Sequence, residues 1–222
     1  AVTSGSQESA MPIEQPIWAS CPVDKAMGLP IDRRMRAAMA SSWSDVRKTV
    51  LAETGEDNRV RRHRIEHASI LAEDLVERMA RLHILAAVQP QFVLTDFWTI
   101  NRVGTERYRW TYPFRTLMEA GVPTSLGSDC PVERLDAFEL IYRAVTRDAH
   151  SRSECLMVDE TIRLYSLGGA YAAFEEKTRG SIEPGRLADM VVLDTDIFNA
   201  EPSKIPDCRP SMVVLGGKAH MS

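Results

Sequence analysis

The chain has 222 residues, 44% of them hydrophobic and 26% charged, with a formal net charge of −4. That balance excludes an intrinsically disordered chain and argues against a basic nucleic-acid-binding surface. No apolar run approaches the roughly 20 residues that cross a bilayer, so no membrane partner is expected.

The length suits one or two ordinary domains. The four cysteines, Cys21, Cys130, Cys155 and Cys208, are widely spaced with no C-x-x-C pair. This argues against a zinc ribbon or a disulfide framework and fits a reducing compartment. The amino end, "AVTSGSQESAMPIEQP", has neither the basic patch nor the apolar stretch of a signal peptide. The expected location is therefore cytoplasmic.

Residues 1–30 are rich in Ser, Pro, Gln and Gly without a sustained period, which predicts an irregular or disordered arm. Residues 31–53 carry a helical pattern through Met35, Ala38, Met39, Val46, Val50 and Leu51, with Gly55 as its stop. A βα alternation follows. "RHRIEHA" predicts a short strand ending near His67, and "LAEDLVERMARLH" a helix with acids in its first turn and Arg81 and His83 in its last. "ILAAVQPQF" predicts a buried strand, "YPFRTLMEAG" a helix closed by Gly121, and "VPTSLGSD" the next strand.

"DAFELIYRAVTRDA" predicts a helix opened by Asp136, with Glu139 placed to complete a capping box. Asp159 is the expected cap of a further helix running from Glu160 towards Phe174. Strands alternating with helices imply parallel βα units. The tail differs: "GSIEPGRLADMVVLD" and "SMVVLGGKAHM" each set a short apolar strand beside Gly or Pro turns, which predicts a small β element.

In "LGSDCPV" (residues 126–132) a carboxylate and a proline break an apolar run. Asp129 lies seven residues before Asp136, too far to cap that helix. In parallel βα architectures the carboxyl ends of strands face the ligand site, and an aspartate there can ligate a metal and take a proton from a bound water. His67 ends an earlier strand in the same way. His63, four residues before it, would share its face on a strand, but "HRIEH" does not match H-E-x-x-H and is expected to be structural. His83 and His150 read as surface residues. The aromatic residues at 108–110 and 112–115 could line a pocket, although an aromatic cluster ahead of a helix more often packs.

The segments "RHRIEHASI", "VQPQF", "YPFRTLMEAGVPTSLGSDCPV", "GSIEPGRLADMVVLD" and "VVLGGK" resemble, in order and spacing, the metal-dependent amidohydrolases, specifically amidohydrolase family 3. The resemblance implies a (β/α)8 TIM-barrel whose last strands this chain carries, with a small C-terminal β element that belongs to a composite β-sandwich. The implied boundaries are a partial barrel over 31–175 and the β element over 176–222. His67 matches the metal-binding histidine that ends the family's sixth strand. Asp129 matches the aspartate ending the eighth, which binds metal and handles the proton of the attacking water.

The family's first-strand H-x-H pair is absent, and its bridging lysine or carboxylate cannot be placed. The nearest candidate for its H-A-x-G-D motif, "SSWSD" (residues 41–45), keeps Asp45 and puts Ser41 at the histidine position. A (β/α)8 barrel needs about 250 residues, so this sequence resembles the carboxyl-terminal portion of one.

The function implied is a metal-dependent hydrolase of non-peptide C–N (amide) bonds in small molecules, with a divalent metal, zinc by preference, in a truncated or incomplete form. The alternative is a non-catalytic binding or assembly module derived from such an enzyme. A homo-oligomer that supplies ligands across its interface is a third arrangement.

Overall fold

Three short strands, each ahead of a turn and a helix, pair side by side in the computed structural model, which describes residues 57–147 and 152–221. The expected arm at 1–30, the helix at 31–53, the "SSWSD" segment and His150 lie outside the described residues. A one-turn helix, α1 (Asn58–Arg61), leads into β1 (Arg64–Glu66). Next come α2 (Glu73–Leu82), β2 (Leu85–Val88), α3 (Phe92–Thr95), α4 (Thr99–Tyr108), α5 (Phe114–Glu119) and β3 (Thr124–Leu126). The strands lie in the order β1-β2-β3, all parallel, with Glu66 opposite Ala87 and Val88 opposite Leu126. β2 is the middle strand and is apolar throughout, as a strand covered on both faces must be.

The helices α2 and α5 form where the sequence places their signals, while α1, α3 and α4 were not expected. In α2, Val76 and Met79 fall one turn apart and are buried, with Glu73 and Asp74 in the first turn and Arg81 in the last. His83 then adopts a left-handed conformation (φ 49°), and the Ile84 N–H donates to the Met79 carbonyl oxygen at 3.0 Å. This is the closure that ends many helices. Gly121 (φ 73°) closes α5 in the same way, with the Val122 N–H donating to the Leu117 carbonyl.

After β3 the chain forms α6 (Ala137–Thr146). As expected, Asp136 caps it, accepting from the N–H groups of Phe138 and Glu139 at 3.1 Å. The other half of the capping box does not form. Glu139 instead receives Arg143 Nε at 2.6 Å, and the Asp136 N–H donates to the Arg134 carbonyl.

The next helix is interrupted: α7 (Val158–Arg163), a π-helical turn (Leu164–Gly168) and α8 (Gly169–Ala172). Asp159 is not its cap. The helix opens at Met157, whose N–H donates to the Glu160 side chain at 2.7 Å. Glu160, one residue further along, has the reach to fold back while Asp159 sits inside the first turn.

The core is formed by one face of the parallel sheet and the helices on it: Met79, Ala86, Val88, Phe114, Leu117, Leu126, Leu140 and Ala144 are all buried. A second cluster joins Ile141 of α6 to Ile197, Ile205 and Cys208. The tail forms a separate antiparallel sheet of β4 (Met190–Leu193), β5 (Pro210–Leu215) and β6 (Lys218–Met221). Gly216 and Gly217, both at positive φ, make the two-residue turn between β5 and β6, as the twist of a tight hairpin requires.

Two arginines do work that their sequence context did not announce. Arg147, expected inside α6, follows its last residue in a left-handed conformation (φ 44°) and is fully buried. Its guanidinium donates to the Tyr112 carbonyl at 2.5 Å and lies over the Phe114 ring. Burial pushes its pKa down to about 10. Arg62, ahead of β1, makes a bidentate pair with Glu176 (2.6 and 2.8 Å) and stacks on Tyr171 and Phe174.

Two outcomes follow from this packing. A β-carbon on Gly168 would sit 2.5 Å from the Thr124 carbonyl oxygen, a contact that forces backbone to move. Gly168→Ala should therefore cost about 1–3 kcal/mol, read as a lower urea midpoint.

The Arg62 guanidinium holds the Glu176 carboxyl at about 2, below its ordinary 4.5. A carboxyl lowered by folding stabilises the fold above pH 4.5 and loses that contribution as pH falls from about 4.5 to about 2. After solvent screening the pair contributes on the order of 1 kcal/mol. Urea titrations between pH 2 and 6 should show Glu176→Gln with a shallower acid decline than the unmodified chain by about that amount.

Candidate functional site

The site residues stand where two strands stop. The His67 N–H donates to the Ala87 carbonyl at 2.8 Å, extending the β1–β2 ladder one residue past β1. There the backbone leaves the strand: His67 has φ 67° and Ala68 φ 47°. Beyond β3 the same happens at Asp129, φ 59°. Left-handed backbone costs a non-glycine residue on the order of 1 kcal/mol or more, and His and Asp are among the residues enriched there. Two local bonds hold the second turn. The Cys130 N–H donates to the hydroxyl of buried Ser128 at 3.3 Å, and the Val132 N–H to the Asp129 carbonyl at 2.8 Å.

Neighbouring strands lie about 4.8 Å apart, so β1 and β3 are separated by the full width of β2. Only side chains reaching over the end of β2 can meet. His67 Nε2 and Asp129 Oδ2 do so, 3.8 Å apart and partly open to solvent (48% and 37% exposed). The Phe92 ring backs the imidazole at 5.7 Å between centroids, tilted 54°.

The separation has a chemical meaning. It exceeds a hydrogen bond, and it leaves both the imidazole nitrogen and the carboxylate oxygen available as donors that could hold a divalent cation. Imidazole nitrogen and carboxylate oxygen suit zinc and its neighbours. The pair thus fits as two donors of a metal centre. It does not complete one: among the described residues no group of three or more His, Cys, Asp or Glu could hold a metal ion. His63 immediately precedes β1 and His83 lies two residues before β2, both at the amino ends of the strands, so neither can join His67. His63 is exposed and His83 half-buried. His220 is exposed in β6.

The aromatic stretch around residues 108–115 is packing. Tyr112 and Phe114 are buried and meet edge to face at 6.2 Å. The Tyr112 hydroxyl hydrogen-bonds the Asp96 carboxylate, and burial together with that carboxylate pushes the phenol above its ordinary value. This clasp, with the Tyr112 N–H donating to the Ser69 carbonyl at 2.8 Å, ties the segment after β2 to the turn after β1.

Gln91 is a residue that sequence reasoning passed over. It is buried at the start of α3, and its Nε2 donates to the Arg134 carbonyl at 2.9 Å in the segment after β3. A polar "QPQ" directly after a buried strand was the available signal.

Known proteins resemble this chain over much of its length. The Amidohydrolase family model matches residues 37–219. YtcJ of Bacillus subtilis (strain 168) is 36% identical over 167 residues, covering 71% of this chain and 32% of its own length. The N-substituted formamide deformylase of Arthrobacter pascens is 31% identical over 140 residues, covering 60% of this chain and 26% of its own. An uncharacterized metal-dependent hydrolase of Pyrococcus horikoshii OT3 superposes with a TM-score of 0.62 at 30% identity, over 72% of this chain and 33% of that one. The chain spans about a third of the length of the relatives it matches. With a family model matching most of its residues and two of them meeting at the carboxyl ends of parallel strands, the chain belongs to the amidohydrolase family.

Proposed function

We propose that this chain is the carboxyl-terminal part of a metal-dependent hydrolase that cleaves non-peptide C–N (amide) bonds in small molecules. One observation carries the reading: His67 Nε2 and Asp129 Oδ2 converge to 3.8 Å from two strands separated by a third. In this reading β1, β2 and β3 are the last strands of a (β/α)8 barrel spanning residues 31–175 of this sequence. The sheet of β4, β5 and β6, within 176–222, is part of a β-sandwich. A relative named for deformylating N-substituted formamides supports the amide class.

His67 and Asp129 would hold a divalent metal, zinc by the chemistry of the two donors. When bound, such an ion polarises a carbonyl and lowers the pKa of water. His67 would bind through Nε2, the ring nitrogen that faces Asp129. Asp129 has a second carboxylate oxygen beside the one facing His67. That oxygen would take a proton from the attacking water and return it to the leaving amine, as general acid–base chemistry requires.

A second reading, a non-catalytic binding or assembly module, is favoured by the lack of a three-residue metal group among the described residues. The two readings differ in a measurable way. If the hydrolase reading holds, the purified chain takes up zinc, and its melting temperature falls on chelation. His67→Ala and Asp129→Ala should each weaken zinc at least about tenfold, as measured by competition with a chromogenic chelator. An unmodified chain that takes up no zinc, with a melting temperature indifferent to zinc and chelator, supports the module instead.

A further inference from the structure

We infer that Gln91 is the positioning residue that sets the spacing of His67 and Asp129. Its metal consequence rests on the hydrolase reading above, whereas its geometric consequence does not. Gln91 stands between the two candidate ligands in both chain and space. It follows β2, the strand separating β1 from β3, and it opens α3, whose first residue, Phe92, packs its ring against that of His67. Its side chain reaches the other way. Nε2 donates to the Arg134 carbonyl at 2.9 Å, in the segment that begins at Asp129 and is folded by the Val132-to-Asp129 and Asp136-to-Arg134 backbone bonds. One side chain thus ties the element backing the imidazole to the segment carrying the carboxylate.

The other end of the same amide is the second observation. Gln91 is 4% exposed, and its Oε1 is buried without a hydrogen-bond partner among the described residues. A buried acceptor left unpaired is a standing cost, and an apolar residue of the same size would remove it. A residue present only for stability has no reason to keep it. Asn58 is a fitting contrast within this chain. It too is buried and bridges carbonyls, those of Leu82 and His83, but its Oδ1 accepts the His63 N–H at 3.1 Å. The amide at the amino ends of the strands is fully used, and the one at the carboxyl ends is half used. What Gln91 contributes at that cost is the bond to Arg134.

The balance makes a clean test available. Gln91→Met removes the tie and the unpaired acceptor together at nearly constant size, so its melting temperature should stay within about 4 °C of the unmodified chain. Gln91→Glu keeps the shape but presents an acceptor, not a donor, to the Arg134 carbonyl. Asn58→Ala removes the structural amide and serves as the comparison.

In crystal structures of the metal-free proteins, both Gln91 variants should show the His67–Asp129 separation widened from 3.8 Å. Asn58→Ala should lower the melting temperature and leave the pair unmoved. In titrations with Co(II), Gln91→Met should bind about 10- to 100-fold more weakly than the unmodified chain.

An unchanged His67–Asp129 separation in both Gln91 variants overturns the inference. So does equal displacement of the pair in Asn58→Ala. If the unmodified chain binds no Co(II) but the pair still opens in the Gln91 variants, the positioning role stands and the hydrolase reading is what fails.

Discussion

The parallel pairing of three strands is the constraint on which the rest of the molecule depends. With β1, β2 and β3 running the same way, every segment leaving a carboxyl end emerges on one side. His67 and Asp129, 62 positions apart by residue number, are thereby delivered to one place. An antiparallel arrangement of the same segments would send them to opposite edges. The middle strand also sets the distance that the site must span, because the two residues meet only over the end of β2. That is why both leave the strand direction in left-handed backbone: an extended continuation would carry them past one another.

Holding such a sheet requires cover on its faces and ties at its ends, and polar side chains supply many of the ties. At the amino ends, Arg62 reaches Glu176 and the Tyr171 carbonyl, and Asn58 holds the last turn of α2. At the carboxyl ends, Tyr112 clasps Asp96, Gln91 holds Arg134, and buried Arg147 gathers the Thr111 and Tyr112 carbonyls. A buried guanidinium bound to carbonyls and an aromatic face is costly to desolvate. It persists because removing it would strand those carbonyls. The network is therefore more a device for fixing loops than a source of net stability.

Much of the arrangement was legible in the residues. Helices α3 and α4 were not read from the sequence, whereas the three strands, the helices α2, α5 and α6 and the two strand signals of the tail follow from alternation, Gly stops and charge placement. So did the cap at Asp136, and hence the freedom of Asp129 for another task. Two misses share a cause: they concern which of two nearby polar groups takes a given partner. Glu160 rather than Asp159 closes the Met157 turn, and Glu139 prefers Arg143 to the helix start. Side-chain reach decides such choices, and sequence spacing does not encode it. Arg147 in "VTRDA" looks like any exposed helix end, since nothing local says that Phe114 and Tyr112 will close over it.

The sequence by itself determined the βα order, the family resemblance and the two residues, His67 and Asp129, whose types and positions at strand ends suit a metal centre. Only the tertiary structure decided that they converge to 3.8 Å, and that His63 and His83 stand at the opposite ends of the strands. The physical reason is that local pattern fixes which residues end a strand. Pairing order, strand direction and backbone hand at the exit, which are long-range properties, fix where those ends meet.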